Sequence, residues 1–161
     1  MQQKEFQVKY EEYESAAELP EADATLLALA RKATGDAYAP YSRFRVGAAA
    51  RLANGEVITG TNQENASYPV GICAERTLLS VAGSLFPGVA IETLAVSYHN
   101  EQGASDRPIS PCGICRQSLQ EFEQRTGRRM RIILGGETGK VIGLEGSEVL
   151  LPLAFTGDEL K

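Results

Sequence analysis

Phe6, Val8 and Tyr10 alternate with Gln7, Lys9 and Glu11, the two-residue period of a strand. For so short a run the alternative is an unstructured polar tail. From Glu21 the period lengthens. Leu26, Leu27, Ala30 and Ala33 form one stripe, which predicts a helix from Glu21 to about Ala37, with Pro20 before it and Pro40 ending it. Phe44, Val46 and Ala48 return to alternation and predict a strand over Phe44–Leu52. Asn54-Gly55 is a hairpin turn, and Glu56–Thr61 is the returning strand.

Cys73–Ala82 has helical spacing with Leu78, Leu79, Val81 and Ala82 inward, and Gly83 and Pro87-Gly88 as its stop. Ile91–Ser97 is a continuous apolar run, predicting a strand covered on both faces. A polar loop then leads to Ser110, a helix runs from near Cys112 to Gly127, and Met130–Leu134 and Lys140–Leu144 read as strands around a glycine-rich turn. Ser147–Leu150 suggests a brief closing helix, broken by Pro152. The order β-β-α-β-α-β-β implies an α/β fold, a three-layer α/β/α sandwich around a mixed five-stranded sheet. Residues 1–22 stand apart as an N-terminal extension, and 23–161 form one domain, as the chain's 161 residues favour a single core.

Composition narrows the function. With 43% hydrophobic and 23% charged residues the chain is ordinary for a globular protein. A net charge of −5 argues against a nucleic-acid surface, which needs clustered Lys and Arg. The N-terminus has no apolar signal core and no run is long enough to span a membrane, so a cytoplasmic protein is expected. The three cysteines cannot all pair with one another, and their spacing suits a metal, which agrees with a reducing compartment.

Those cysteines carry the chemistry. Cys112 and Cys115 lie three apart on one helical face, so both sulfurs can meet one ion, and Cys73 can supply a third soft ligand. Three protein ligands with an open fourth position is the pattern of a catalytic zinc. Glu75 follows two residues after Cys73, about 200° around an ideal helix. Arg76 stands three residues from Cys73 and could donate hydrogen bonds to the sulfurs of a net-anionic zinc–thiolate centre. Asn62 and Glu64, two apart at a strand's end, project polar groups to one side.

Four blocks in order resemble the small cytidine deaminases: A-Y-A-P-Y-S-R-F-R-V-G-A-A, T-G-T-N-Q-E-N-A-S-Y-P-V-G-I-C-A-E-R-T, S-P-C-G-I-C-R-Q and L-L-P-L-A-F. Together they reach over roughly residues 23–158; residues 1–22 and the loop 99–108 lie outside them. The resemblance implies one Zn²⁺ per chain on Cys73, Cys112 and Cys115, with Glu75 as the non-ligand proton carrier. It implies that Asn62 and Glu64 hold the sugar 3′-hydroxyl, that the Ala66 backbone holds the base, and that Phe44 and Phe155 wall the base pocket. Phe155 would come from a neighbouring subunit of a homotetramer. The implied reaction is hydrolysis of cytidine and 2′-deoxycytidine, in pyrimidine salvage.

Blander readings exist for each feature. The cysteines could hold a structural zinc with a further ligand, although His99, the one histidine, stands in an unrelated loop. Asn62 and Glu64 could serve turn and cap chemistry, Arg76 a solvated helix face, and Phe44 and Phe155 plain core packing. The same scaffold could also deaminate a modified cytosine nucleoside of the blasticidin type. A non-enzymatic zinc-stabilised binding protein is disfavoured by Glu75, and a nucleic-acid editor by the charge.

Overall fold

Alternation decides the middle of the sheet. On strand Phe44–Leu52, Ala48, Ala50 and Leu52 join one buried cluster while Ala49 joins another on the opposite face. Strand Ile91–Asn100 divides the same way, Leu94 and Val96 against Ala95. A sheet buried on both faces needs a helical layer on each. The computed structural model describes residues 1–160 and supplies both layers.

The strands are β1 (Glu11–Tyr13), β2 (Phe44–Leu52), β3 (Val57–Thr61), β4 (Ile91–Asn100), β5 (Arg131–Gly135) and β6 (Val141–Glu145), in sheet order β1-β6-β5-β4-β2-β3. Only β4 and β5 pair in parallel. Helix α1 (Glu21–Ala33) covers one face through Leu26, Leu27 and Ala30. Helices α2 (Ala74–Leu85) and α3 (Gly113–Thr126) cover the other through Leu78, Ala82, Leu119 and Phe122. The α/β/α sandwich with a mixed sheet is therefore as expected, except that the sheet has six strands rather than five.

The sixth strand is not where alternation placed it. Phe6, Val8 and Tyr10 are exposed, and pairing begins only at Glu11. Ionic contacts hold β1. Arg131 donates to Glu11 at 2.5 Å, to Asp23 at 2.8 Å and to Glu145 at 2.6 Å, so one guanidinium ties β1, α1 and β6 to β5. The carboxylates keep its proton bound more tightly than usual, against the effect of burial. Lys140 adds Glu12 at 2.6 Å.

Three boundaries also move. The first helix stops at Ala33 and continues as a 3-10 turn, Thr34–Asp36. Gly83 does not end α2 but lies inside it, where a Cβ would stand 3.2 Å from the Arg125 guanidinium that crosses from α3. His99 belongs to β4 rather than a loop, and its Nδ1 lies 2.7 Å from Glu137 Oε1.

Gly55 in the β2–β3 turn has φ of +88°, the left-handed conformation that a glycine accepts without strain. Gly60 on β3 has a different reason. A Cβ there would stand 2.6 Å from both Ala74 O and Leu78 N. The missing side chain lets the first turns of α2 lie directly on the sheet.

Candidate metal centre and substrate cleft

Two helices begin at the same place. Cys73 is the N-cap of α2 and Cys112 the N-cap of α3, both in extended backbone conformation, and Cys115 follows in the first turn of α3. The sulfurs thus stand at the N-terminal ends of both helices, where the dipole favours thiolates, although neither cap cysteine bonds a helix N–H. Cys73 Sγ lies 3.8 Å from Cys112 Sγ, which lies 3.5 Å from Cys115 Sγ. All three sulfurs fall within 4.8 Å of one another. A tetrahedral ion at about 2.3 Å from each thiolate requires sulfur–sulfur separations of about 3.8 Å. The two shorter separations match that value, and the cluster suits a single zinc ion. The set is all sulfur, as soft-metal binding demands.

Cys115 donates towards Cys73, which pulls the Cys73 thiol down to about 6, while the proton on Cys115 is held more tightly than usual. Glu75, in the first turn of α2, is only 5% exposed. Burial pushes its carboxyl up, and its own backbone N–H and then the Cys115 thiol partly offset this. The turn thus brings Glu75 against the cysteine cluster although it lies two residues from Cys73. Arg76 departs from expectation. Its guanidinium makes no hydrogen bond to any sulfur and acts on Cys73 only through its charge. The side chain instead lines a groove between α2 and α3, together with Gln117 and Phe155.

Beside the cysteines opens a cleft of about 490 Å³. Cys73 and Ile72 form one wall, Asn62 and Glu64 another, and Tyr41 and Tyr68 stand at its mouth with ring centroids 6.1 Å apart, edge to face. Asn62 is already engaged. Its Oδ1 accepts from Val46 N–H at 2.7 Å and its Nδ2 donates to Phe44 C=O at 2.9 Å, which prolongs the β2–β3 ladder. Glu64 Oε2 accepts from the backbone N–H groups of Tyr41 at 2.9 Å and Ser42 at 3.2 Å. Desolvation opposes its charge, but the Ser42 hydroxyl and these two N–H groups outweigh it and hold the carboxyl below its ordinary range. Ala66 sits on the exposed loop after Glu64, and its backbone polar groups make no hydrogen bond among the described residues.

The two phenylalanines lie outside this cleft. Phe44 stacks on Tyr98 with centroids 4.9 Å apart, and so packs on β4. Phe155 is 59% exposed and lies over the α2–α3 groove of its own chain. Tyr41, Ser42 and Tyr68 are among the cleft residues not singled out from the sequence. They come from turns with no periodicity, and although P-Y-S and S-Y-P lie within the blocks that carry the resemblance, nothing in their spacing marks a role for them. Arg43, in the same turn, holds φ of +55°, uncommon for a non-glycine residue.

Residues 20–128 match the family model described as "Cytidine and deoxycytidylate deaminase zinc-binding region". A cytidine deaminase from Halalkalibacterium halodurans is 39% identical over 136 residues, 84% of this chain and 96% of the relative. One from Sporosarcina psychrophila is 38% identical over 137 residues, 84% of this chain and 93% of the relative. Among solved structures, cytidine deaminase from Burkholderia pseudomallei superposes with a TM-score of 0.71 at 37% identity, covering 85% of this chain and 100% of that one. The Mycobacterium tuberculosis structure gives 0.62 at 32% identity, covering 81% and 94%. The matched region includes all three cysteines and Glu75 and stops before Phe155.

Proposed function

As this chain belongs to the cytidine and deoxycytidylate deaminase family, we propose that it is the zinc-dependent hydrolase that converts cytidine and 2′-deoxycytidine to uridine and 2′-deoxyuridine with release of ammonia. The observation that carries this reading is the juxtaposition of three sulfurs within 4.8 Å, the buried Glu75 against them, and a cleft with Asn62 and Glu64 alongside. Free nucleoside as substrate fits the cleft's size and the chain's net charge of −5. The place of such a reaction is pyrimidine salvage, in the cytoplasm. Among the described residues no helix is long and apolar enough to cross a membrane.

Cys73, Cys112 and Cys115 are the residues that would hold the zinc. Zinc, when bound there, supplies the Lewis acidity that brings the pKa of water towards about 7. Glu75 does the proton work. Its carboxylate accepts a proton from the attacking water and delivers it to cytosine N3, which makes C4 electrophilic. It then carries the second proton of that water to the leaving amine, so water is consumed and ammonia departs. A carboxyl that is 5% exposed exchanges protons with its reaction partner rather than with bulk water.

Asn62 and Glu64 orient the sugar through its 3′-hydroxyl. Each has a remaining acceptor or donor site beyond the backbone bonds it already makes. The free backbone groups of Ala66 suit the polar edge of the base. Phe44 supports the cleft from behind by fixing the strand that Asn62 clamps. Phe155, which does not reach its own chain's cleft, completes that of a neighbour in a homotetramer; Arg76 lines the same α2–α3 groove as Phe155. A panel of nucleosides assayed with and without chelator tests the reading. Turnover of cytidine that vanishes on chelation and returns with zinc supports it; a protein inert to every nucleoside overturns it.

A further inference from the structure

The side chain of Arg116, immediately after Cys115, turns back along α3. Its Nε donates to Pro111 C=O at 2.8 Å and its Nη1 to Leu150 C=O at 3.0 Å. Pro111 immediately precedes Cys112. Leu150 opens the C-terminal segment that carries Phe155. The next side chain, Gln117, donates through Nε2 to Phe155 C=O at 2.9 Å. Among the described residues neither the Pro111 nor the Leu150 carbonyl accepts a backbone hydrogen bond, so Arg116 is the donor found for each.

We propose that Arg116 is a positioning residue that couples metal loading of the cysteine site to the order of the C-terminal segment carrying Phe155. A guanidinium is planar and its donors are fixed relative to one another, so two carbonyls held by it keep a fixed separation. An ion on Cys112 and Cys115 gives the turn from Pro111 to Cys115 one shape, and Arg116 passes that shape to Leu150. The segment belongs to no sheet or α-helix. Leu153 and Phe155 are exposed, and its bonds include the Gln117 contact, the Leu150 N–H to Ser147 C=O turn and the local contacts of Thr156 with Asp158 and Glu159. Segments of this kind lie at the low end of local stability and respond to a single anchor. The coupling rests on the zinc-enzyme reading for the identity of the ion, but it is measurable without turnover.

The test is hydrogen exchange of the amides of residues 150–160 in the full-length protein, zinc-loaded and chelated, at an oligomeric state matched by light scattering. In the wild type, chelation should speed exchange there by about tenfold, the scale of one charge-assisted hydrogen bond. Arg116→Lys keeps the charge but offers a single ammonium that cannot span both carbonyls. Prepared in excess zinc, it should exchange fast whether or not the metal is present, and its KM for cytidine should rise more than its kcat falls. A wild-type segment indifferent to chelation overturns the proposal, as does an Arg116→Lys segment that keeps the full zinc response. Arg116→Ala is the harsher variant, and where it fails to fold Arg116→Lys decides. Phe155→Ala separates the two readings. An unchanged KM in that variant, with the zinc response of exchange intact, would fault the shared-site role of Phe155 and leave the coupling standing.

Discussion

Cys73 and Cys112 cap two different helices, yet their sulfurs lie 3.8 Å apart. That separation is the one a tetrahedral ion imposes, and it is reached by the packing of α2 on α3 rather than by a local loop. Removing either sulfur leaves two ligands, one on each helix or both on α3. Cys112→Ala should therefore lose zinc and activity together. Elemental analysis of the purified variant is the check, and full zinc retention would refute the ligand assignment.

Glu75 is expected to behave in the opposite way. It touches the cysteine cluster but is not needed to hold the ion. Glu75→Ala should keep zinc and fold while turnover falls by at least about 10⁴-fold, the upper end for general acid–base catalysis, because one carboxylate serves several steps. Residual activity within tenfold of wild type would sink the proton-carrier role.

Glu64 has two tasks, and Glu64→Gln divides them. The amide keeps an oxygen for the N–H groups of Tyr41 and Ser42 but loses the charge. KM should rise far more for cytidine than for its 3′-deoxy analogue. Equal effects on both substrates would make Glu64 a loop anchor only.

How much of this was legible beforehand depends on what carried the information. The central strands were, because two-sided burial writes itself as an apolar run at Ile91–Ser97 and alternation at Phe44–Leu52. Strand β1 was not. It is held by Arg131 and Lys140, whose partners are 120 and 128 residues away and leave no period in the sequence. The metal set was legible from spacing and resemblance together, since C-x-x-C fixes two sulfurs and only the family blocks tie Cys73 to them. The direction of Arg76, the tyrosines at the cleft mouth and the Arg116 bridge were not, because each depends on where separate elements meet.

The Arg131 hub makes its own prediction. Asp23 is buried there with its side chain 7% exposed, whereas Glu11 is 53% exposed. Asp23→Ala should lower stability by about 1–3 kcal/mol, because it strips a buried donor of its partner. Glu11→Ala should cost well under that, as solvent-screened pairs do. Denaturant titration of both variants ranks them, and the reverse order would mean that the hub is not organised around Asp23. Neither change should alter kcat.

Phe155 gives the prediction for the assembly. Truncation after Pro152 removes the ring and leaves Cys73, Cys112 and Cys115 in place, so KM should rise by one to two decades, the scale of an aromatic stack on a base, with zinc retained. Light scattering on the intact protein is the direct measurement. A fully active monomer of one chain at nanomolar concentration would exclude a site shared between subunits.

The bare α-carbon of Gly60 has a reach beyond packing. Because Ala74 O and Leu78 N stand 2.6 Å from where a methyl group would be, the floor beneath α2 sets the height of the helix, and with it the position of Cys73 and Glu75 at the tip. A position that touches neither metal nor nucleoside thereby acts as a spacer gauge for the coordination sphere. Lifting α2 by a few tenths of an ångström would leave the cysteine turn of α3 where it is and open the gap between Cys73 and Cys112. A side chain at this site would therefore be felt in the metal geometry as well as in the strand in which the residue sits. Screens that score residue 60 by its distance from the substrate will miss it.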